Sequence, residues 1–247
     1  MTGKFLPDGV FRCEICFGPQ DMDRFGRVDG SALLWQLQEI AAAHYEARGY
    51  GDAFIRAHGC FWAVIRTELT FFALVPPGES LWLDTWSGKA GHGLYRRHYR
   101  LQTPGGGILL RGVSTWVLMD AVERVLTKDR SWLPDPDVIE QPDELAGQRR
   151  VAFPALSQQA ERTVQRSETD INGHLNNTVY LRWAQDLLPD AYEKSRRLRG
   201  VWVEYKKELP LGQTAALHYT LEGDALYVIG SAEDKDSFLM RCEYDSI

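Results

Sequence analysis

The sequence predicts an α+β fold built from two similar units, in each of which a long helix packs on an antiparallel β-sheet. Three observations lead to this prediction. Each half of the chain has an amphipathic helical pattern followed by strand-like patterns, a polar and proline-rich stretch separates the halves, and a short segment of the first half recurs in the second. A helix with one apolar face needs a second layer to cover it, and a sheet provides that layer.

The composition is that of a globular protein. The chain has 247 residues, of which 44% are hydrophobic and 25% charged, and its formal net charge is −6. This composition excludes a disordered or fibrous protein, and the acidic balance argues against a general nucleic-acid binder. The sequence has no run of about 18 apolar residues, so no membrane span is expected. The first twelve residues do not resemble a signal peptide. Four cysteines do not make a disulfide framework, so the expected location is cytoplasmic.

In the first half, one helix precedes a series of strands. Leu33, Leu37, Ile40 and His44 follow one another at helical spacing, which predicts a helix over about 31–47. Three later stretches alternate or are rich in β-branched and aromatic residues, as strands are. They are residues 81–86, 95–103 and 108–119.

The second half repeats this order. Apolar and aromatic side chains from Tyr180 to Leu188 form a helical stripe, for which Asn176 or Asn177 is the expected N-cap. Four strand-like stretches follow, over residues 201–207, 214–221, 225–230 and 238–244.

Residues 131–159 are predicted to be a linker. The stretch contains Pro134, Pro136, Pro142 and Pro154, with acidic residues such as Asp143 and Glu144 among them. Proline removes amide donors and charged side chains are costly to bury, so little regular structure is expected here. The linker would separate an N-terminal unit of residues 1–130 from a C-terminal unit of residues 160–247.

A short segment before each helix is repeated. Asp23 and Asp170 are 170 − 23 = 147 positions apart, and Gly26 and Gly173 have the same spacing. The shared order of helix and then strands supports a duplication of one ancestral unit.

The densest cluster of polar residues lies in the second copy, over residues 170–180. Asp170, Asn172, His174 and Asn176 occur at every second position, so in an extended segment their side chains would share one face. An acid, an amide and an imidazole at one place can supply a base or nucleophile, an orienting group and a proton carrier. The segment then enters a helix whose free amides favour a developing oxyanion.

The pattern Asp-x-Asn-x-His-x-Asn-Asn-x-x-Tyr, with Val-Glu-Tyr-Lys-Lys-Glu at residues 203–208, resembles that of the acyl-acyl carrier protein (acyl-ACP) thioesterases. The segment around Asp23 and the Ser-Thr-Trp-Val-Leu-Met-Asp run ending at Asp120 are similar to the N-terminal unit of that family. The resemblance implies a double (tandem) hot-dog fold and release of free fatty acid from acyl-ACP at the end of fatty-acid synthesis.

Residue by residue, the resemblance implies catalytic roles for Asp170, Asn172, His174 and Glu208. Plant members commonly have a cysteine after the glutamate, but this chain has Leu209, so a thiol mechanism cannot operate at that position. Hydrolysis driven by a carboxylate remains. Glu208 or Asp170 activates a water molecule, or Asp170 attacks directly, and the sequence does not choose among these.

The remaining predicted site residues bind the substrate. An amide near Asn176 and Asn177 is expected to hold the oxyanion. At the spacing of 147 residues the first copy has no equivalent of Asn172 or His174, so the N-terminal unit is expected to bind the acyl chain without catalysing. Its aromatic residues, including Trp35 and Trp62, suit an acyl pocket.

ACP is acidic, so its docking face is expected to be locally basic. Arg196, Arg197 and Arg199 are candidates for that face, on a protein expected to be a monomer or a homodimer. No cofactor is predicted, and the single pair Cys13-Glu-Ile-Cys16 is too little for a zinc site.

Two other functions are compatible with these residues. One is a hot-dog thioesterase that acts on acyl-CoA or aryl-CoA. The other is a non-hydrolytic or dehydratase-like relative that binds acyl thioesters.

Overall fold

A computed structural model describes the whole chain except residue 90 and residues 142–144, 146, 148 and 149. The predicted linker positions Pro142, Asp143 and Glu144 therefore lie outside the described residues. The other described residues of that stretch have no helix, and their only strand is the start of the one that begins at Gln158.

The strands of the described chain form one antiparallel sheet with the order β1-β2-β4-β5-β6-β3-β8-β11-β10-β9-β7. In the first half they are β1 (Gly3–Phe5), β2 (Phe11–Ile15), β3 (Cys60–Phe71), β4 (Leu81–Ser87), β5 (Tyr95–Gln102) and β6 (Ile108–Asp120). In the second half they are β7 (Gln158–Thr163), β8 (Arg196–Tyr205), β9 (Thr214–Glu222), β10 (Ala225–Ala232) and β11 (Lys235–Ser246). The sheet is thus shared by both halves.

Strands β3 and β8 join the two halves at the centre of the sheet. Residues Arg66–Thr70 pair antiparallel with Gly200–Glu204. Arg66 and Glu204 stand opposite each other, and Nη2 of the arginine lies 2.6 Å from Oε1 of the glutamate. Opposite charges at facing positions stabilise a strand pair, so this contact helps to fix the register between the halves.

The helices are α1 (Gly30–Ala47), α2 (Asp52–Ala57), α3 (Val179–Gln185) and α4 (Asp190–Lys194). The predicted first helix is confirmed, and its buried face packs on the apolar core with Leu33, Leu37, Ile40 and His44. None of the described helices combines the length and the apolarity needed to cross a membrane.

The second helix is much shorter than predicted. It ends at Gln185, and the apolar stripe continues into a turn at Leu187 and Leu188. Pro189 explains the difference, because a proline disfavours the helical conformation of the residue before it. The expected N-cap also differs by a small step: Thr178 occupies that position, and the Asn176 side chain accepts hydrogen bonds from the Thr178 amide and hydroxyl.

Candidate active site

A cavity of about 310 Å³ lies where the C-terminal unit meets the start of β3. One wall is polar and contains Asp170, His174 and Glu208 of the C-terminal unit. The opposite wall is mostly apolar and comes from the N-terminal unit, with Phe61 to Ile65 of β3 and with Val117 and Met119 of β6. A polar group set against an apolar cavity is the arrangement expected for an apolar substrate with one reactive end.

The Asp170 side chain builds a tight turn. Its Oδ1 accepts hydrogen bonds from the backbone amides of Asn172 (2.8 Å) and His174 (3.3 Å), and its own amide donates to the His174 carbonyl (2.8 Å). Gly173 has a φ of 78°, which only glycine adopts without cost. The predicted extended segment is therefore wrong: the backbone folds back on itself, and Ile171 points into solvent with 90% of its surface exposed.

His174 and Glu208 form the second part of the polar wall. Nδ1 of the histidine lies 3.4 Å from Oε2 of the glutamate. The two segments are tied together by a bridge between His174 and Pro210 and by the Leu175 amide, which donates to the Leu209 carbonyl at 2.7 Å. A neutral imidazole that donates from Nδ1 keeps its lone pair at Nε2, so this pair can accept or deliver a proton at Nε2.

Glu168 fastens the polar loop to the body of the protein. Its carbonyl accepts from the Asn176 amide (2.9 Å), and its Oε1 accepts from the indole of the buried Trp183 (2.9 Å). The Asn176 amide is therefore already used. In the described part of the chain no acceptor contacts the Asn177 amide, which is half-buried beside the cavity.

Two tyrosines close the floor of the site. Tyr205 donates its hydroxyl to the Asn177 carbonyl at 3.0 Å, and its ring lies edge-on to Tyr180 with 5.3 Å between the centroids. Burial raises the pKa of both phenols, and the charge of Glu208 adds to the rise in the pKa of Tyr180. Both side chains therefore stay protonated and do not act as bases.

The structure brings most of the predicted site residues together. Those that line the one cavity are Asp170, Asn172, His174, Glu208, Asn177 and Trp62. Asn176 does not line it, because its side chain is used to cap the loop before α3. Trp35 is on the outer face of α1 with 47% of its surface exposed, so the predicted substrate contact of this residue is not found at the cavity.

Sequence reasoning missed Arg124, Tyr205 and Lys207 as residues that line the cavity. Arg124 contacts Oε2 of Glu208 through its Nη2. One feature of the sequence could have indicated Arg124: it lies four residues after Asp120, which ends the segment that is similar to the N-terminal unit of the acyl-ACP thioesterases. Lys207 is paired with Glu233 at 2.7 Å.

A much smaller cavity, of about 50 Å³, lies beside the first copy of the turn. Arg27 stands there at the position equivalent to His174. It donates to Asp23 through Nε (2.7 Å) and to the carbonyls of Glu193 (3.1 Å) and Arg196 (2.5 Å) through Nη1. Its side chain fills the space that the second copy leaves open, and no imidazole is present.

The three arginines of the predicted docking face are all paired with carboxylates. Arg196 contacts Asp224 (2.7 Å), Arg197 contacts Asp245 (3.0 Å), and Arg199 contacts Glu243 (3.1 Å) as well as Asp245. They begin β8, whereas Glu208 follows its end, so they lie roughly 20–30 Å along the strand from the active site.

Two helix-on-sheet units that share one sheet, with a polar cavity at their junction, define a double hot-dog protein. Family models agree with this class: the acyl-ACP thioesterase N-terminal domain matches residues 10–129, and the acyl-ACP thioesterase C-terminal domain matches residues 154–245. The chain belongs to the acyl-ACP thioesterase family.

Individual relatives are distant in sequence and close in fold. A chloroplastic palmitoyl-acyl carrier protein thioesterase of Arabidopsis thaliana is 24% identical over an alignment of 234 positions, and the match covers 83% of this chain and 54% of the relative. The chain thus spans about half the length of the curated relatives it matches. Among solved structures, an acyl-ACP thioesterase from Bacteroides thetaiotaomicron and the 12:0-ACP thioesterase from Umbellularia californica each superpose with a TM-score of 0.82 at 20% identity, over 96% of this chain and 98% of theirs. These structures share the double hot-dog fold.

Proposed function

We propose that this protein hydrolyses the thioester of fatty acyl-ACP and releases the free fatty acid, which ends chain elongation. The observation that carries the proposal is the single cavity that joins His174 and Glu208 to an apolar wall from the other unit. A fatty acyl thioester has the matching chemistry, because its chain is apolar and its carbonyl needs an acid–base pair at one end.

In the proposed reaction, His174 acts as the general base through Nε2. It takes a proton from a water molecule as the water oxygen attacks the thioester carbon. Glu208 holds the Nδ1–H tautomer and stabilises the imidazolium that forms. When the tetrahedral intermediate collapses, the carbon–sulfur bond breaks, and the proton on His174 passes to the leaving thiolate. Water and thioester are thereby converted into a carboxylic acid and a thiol.

The other polar groups would hold the reacting atoms. The Asn177 amide has no acceptor among the described residues and is the proposed donor to the oxyanion. Asn172 is exposed at the mouth of the cavity and would orient the thioester or the water. Because Oδ1 of Asp170 is used by two backbone amides, we favour a role for this carboxylate in shaping the turn and in electrostatics over direct attack.

The acyl chain would run from the active site toward α1. A second small cavity under this helix shares Val64 and Tyr205 with the first and is also lined by Leu34 and Leu37. Trp62 of β3 lines the active-site cavity and is a proposed contact of the acyl chain. This path supports the prediction that the N-terminal unit binds the substrate.

The finer predictions about partners and location stay predictions. Since Arg196, Arg197 and Arg199 are paired with carboxylates, their net charge is largely balanced. Docking of ACP at this face would mean that charge reversal of the three residues raises the KM for acyl-ACP more than the KM for a small acyl thioester. The cytoplasmic location and the monomeric or homodimeric state likewise stay predictions.

The proposal is tested with a panel of acyl-ACPs of graded chain length and the matching acyl-CoAs. Release of thiol is followed by colorimetry, and the liberated acids are identified. We expect hydrolysis with a higher kcat/KM for acyl-ACP than for acyl-CoA, and a loss of at least ~10²-fold in His174→Gln at unchanged thermal stability. No thiol release from any acyl-ACP, or full activity of the His174 variant, would reject the proposal; faster hydrolysis of the CoA esters would indicate an acyl-CoA thioesterase instead.

A further inference from the structure

Arg124 connects the N-terminal unit to the catalytic pair of the C-terminal unit. Its Nη2 contacts the same Glu208 oxygen, Oε2, that lies 3.4 Å from Nδ1 of His174. The two residues are 84 positions apart in sequence. Arg124 thus places a positive charge beside the Glu208 carboxylate that faces His174. It comes from the N-terminal half of the chain, which has no catalytic motif of its own.

The turn that carries Arg124 is well held. Oδ1 of Asp120 accepts hydrogen bonds from the amides of Val122 and Glu123, both at 2.8 Å, and the Arg124 amide donates to the Asp120 carbonyl at 3.1 Å. These backbone donors lower the pKa of the Asp120 carboxyl, which keeps it charged in the role of acceptor. Arg124 itself has a φ of 55°, a conformation that residues other than glycine rarely adopt. Such backbone conformations persist where the surrounding structure enforces them, and often at functional sites.

An aromatic ring fixes the direction of the arginine. The guanidinium carbon of Arg124 lies 4.8 Å from the ring centroid of Phe61, which lines the cavity. The stacked guanidinium is planar and has few ways to turn, so the ring helps to keep Nη2 at Glu208.

Glu208 needs such a restraint. Its side chain is 48% exposed, and Glu208 lies outside β8, which ends at Tyr205. A free glutamate samples many rotamers, and only those with Oε2 at His174 keep the imidazole in its productive tautomer.

We infer that Arg124 is a positioning residue that holds the Glu208 carboxylate against His174, so that the N-terminal unit contributes directly to catalysis. The inference rests on the proposed function for its effect on rate, but the geometric part can be tested without turnover. Arg124 touches neither the reacting carbon nor the water in this scheme, and it acts through Glu208 alone.

The kinetic test uses Arg124→Gln, Arg124→Lys and Glu208→Gln in the full chain, with acyl-ACP as substrate. We expect Arg124→Gln to lower kcat about tenfold, while KM and the melting temperature stay nearly unchanged, since an ion pair this exposed adds little to stability. Lysine should restore part of the loss. In the Glu208→Gln background the Arg124 change should have no further effect, because the two residues act as one unit.

Arg162→Gln is the matched control. Arg162 pairs with Asp186 away from the cavity, and the two side chains are 40% and 48% exposed, close to the 38% and 48% of Arg124 and Glu208. Its replacement should leave kcat unchanged. An Arg124→Gln enzyme as fast as the wild type, or additive effects in the double variant, would overturn the inference while leaving the proposed hydrolase function intact.

A second measurement separates this inference from the proposed function. The tautomer of His174 is read from ¹⁵N-labelled imidazole spectra, with His174→Gln used to assign the signal. We expect one Nδ1–H tautomer in the wild type and a mixture in Arg124→Gln. The same tautomer in both proteins would overturn the positioning role, whether or not the enzyme turns over acyl-ACP.

Discussion

Asp23 and Asp170 make the same turn in the two halves of the chain. Asp23 accepts hydrogen bonds from the amides of residues 25 (2.8 Å) and 27 (2.9 Å), as Asp170 does from those of residues 172 and 174. The glycine of each turn has nearly the same φ, 76° at Gly26 and 78° at Gly173. A single-turn 3-10 helix precedes each one, at Pro19–Asp21 and at Arg166–Glu168. The first copy thus has the aspartate but not the histidine. The aspartate therefore shapes the turn even where no catalytic histidine is present.

This relationship provides a matched pair of variants. Asp170→Asn keeps a side-chain oxygen that can accept the two backbone hydrogen bonds but removes the negative charge, and Asp23→Asn does the same in the first copy. We expect Asp170→Asn to lose about 1 kcal/mol of stability or less in urea unfolding. Asp23→Asn should lose more, because it also removes the charge that pairs with Arg27 at 2.7 Å.

Activity should separate them. Asp170→Asn is expected to lower hydrolysis of acyl-ACP by at least ~10², whereas Asp23→Asn should leave it unchanged. If both variants remain active, the negative charge of Asp170 does not contribute to catalysis, and the residue only shapes the turn. Unfolding of either variant would be visible in the same urea experiment.

Val64 should influence the length of the released fatty acid. It is 7% exposed and belongs to both the active-site cavity and the small cavity under α1. Val64→Phe adds volume at this junction and should shift the products toward shorter acids, and Val64→Ala should shift them toward longer ones. The overpacked variant is expected to lose about 1–3 kcal/mol of stability, so products are compared at equal amounts of folded enzyme. Unchanged product lengths in both variants would show that the acyl chain takes another path.

His44 should make the protein less stable in acid. Burial and, to a lesser extent, the nearby charges of Arg97 and Arg48 together lower the pKa of this histidine from its usual 6.5 to about 2. Below pH 6.5 the unfolded chain binds a proton at this residue that the folded protein excludes. The free energy of unfolding therefore falls by about 1.4 kcal/mol per pH unit below 6.5, or about 2 kcal/mol at pH 5, and is unaffected above pH 7.

Urea unfolding at pH 5 and pH 7 checks this expectation. His44→Gln cannot take up the proton, so the loss of stability between the two pH values should be smaller than in the wild type by about 2 kcal/mol. The comparison uses the difference between the pH values, because the substitution also disturbs the packing of His44 against Phe5 and Phe11. An equal pH effect in both proteins would contradict the assignment.

Much of the fold could be predicted from local patterns. The helix α1 and the strands β4, β5, β6, β9, β10 and β11 all have clear periodicity, and the structure confirms them with ends that differ by a few residues. Strand β3 was not predicted, although it is central to the sheet. Its register shifts between Val64 and Arg66, which interrupts the alternation of apolar and polar residues, and Arg66, Glu68 and Thr70 make it look like a surface segment.

The candidate site was predictable where its residues are close in sequence. Asp170 and His174 are four positions apart and could be read as one motif. Arg124 could not, because its contact with Glu208 depends on the pairing of two halves of the chain. Trp35 was misjudged for a local reason: it stands between Leu34 and Leu37 in sequence, but one helical step of about 100° turns it to the outside.

The pairing of β3 with β8 has a consequence for the proposed activity at low protein concentration. If the two units were separate chains, a pocket between them would be lost when the dimer dissociated on dilution. Here both walls belong to one polypeptide, so dilution cannot separate them. The covalent link also allows each half to diverge, in line with the proposed division between a C-terminal unit that carries the reactive groups and an N-terminal unit that binds the acyl chain.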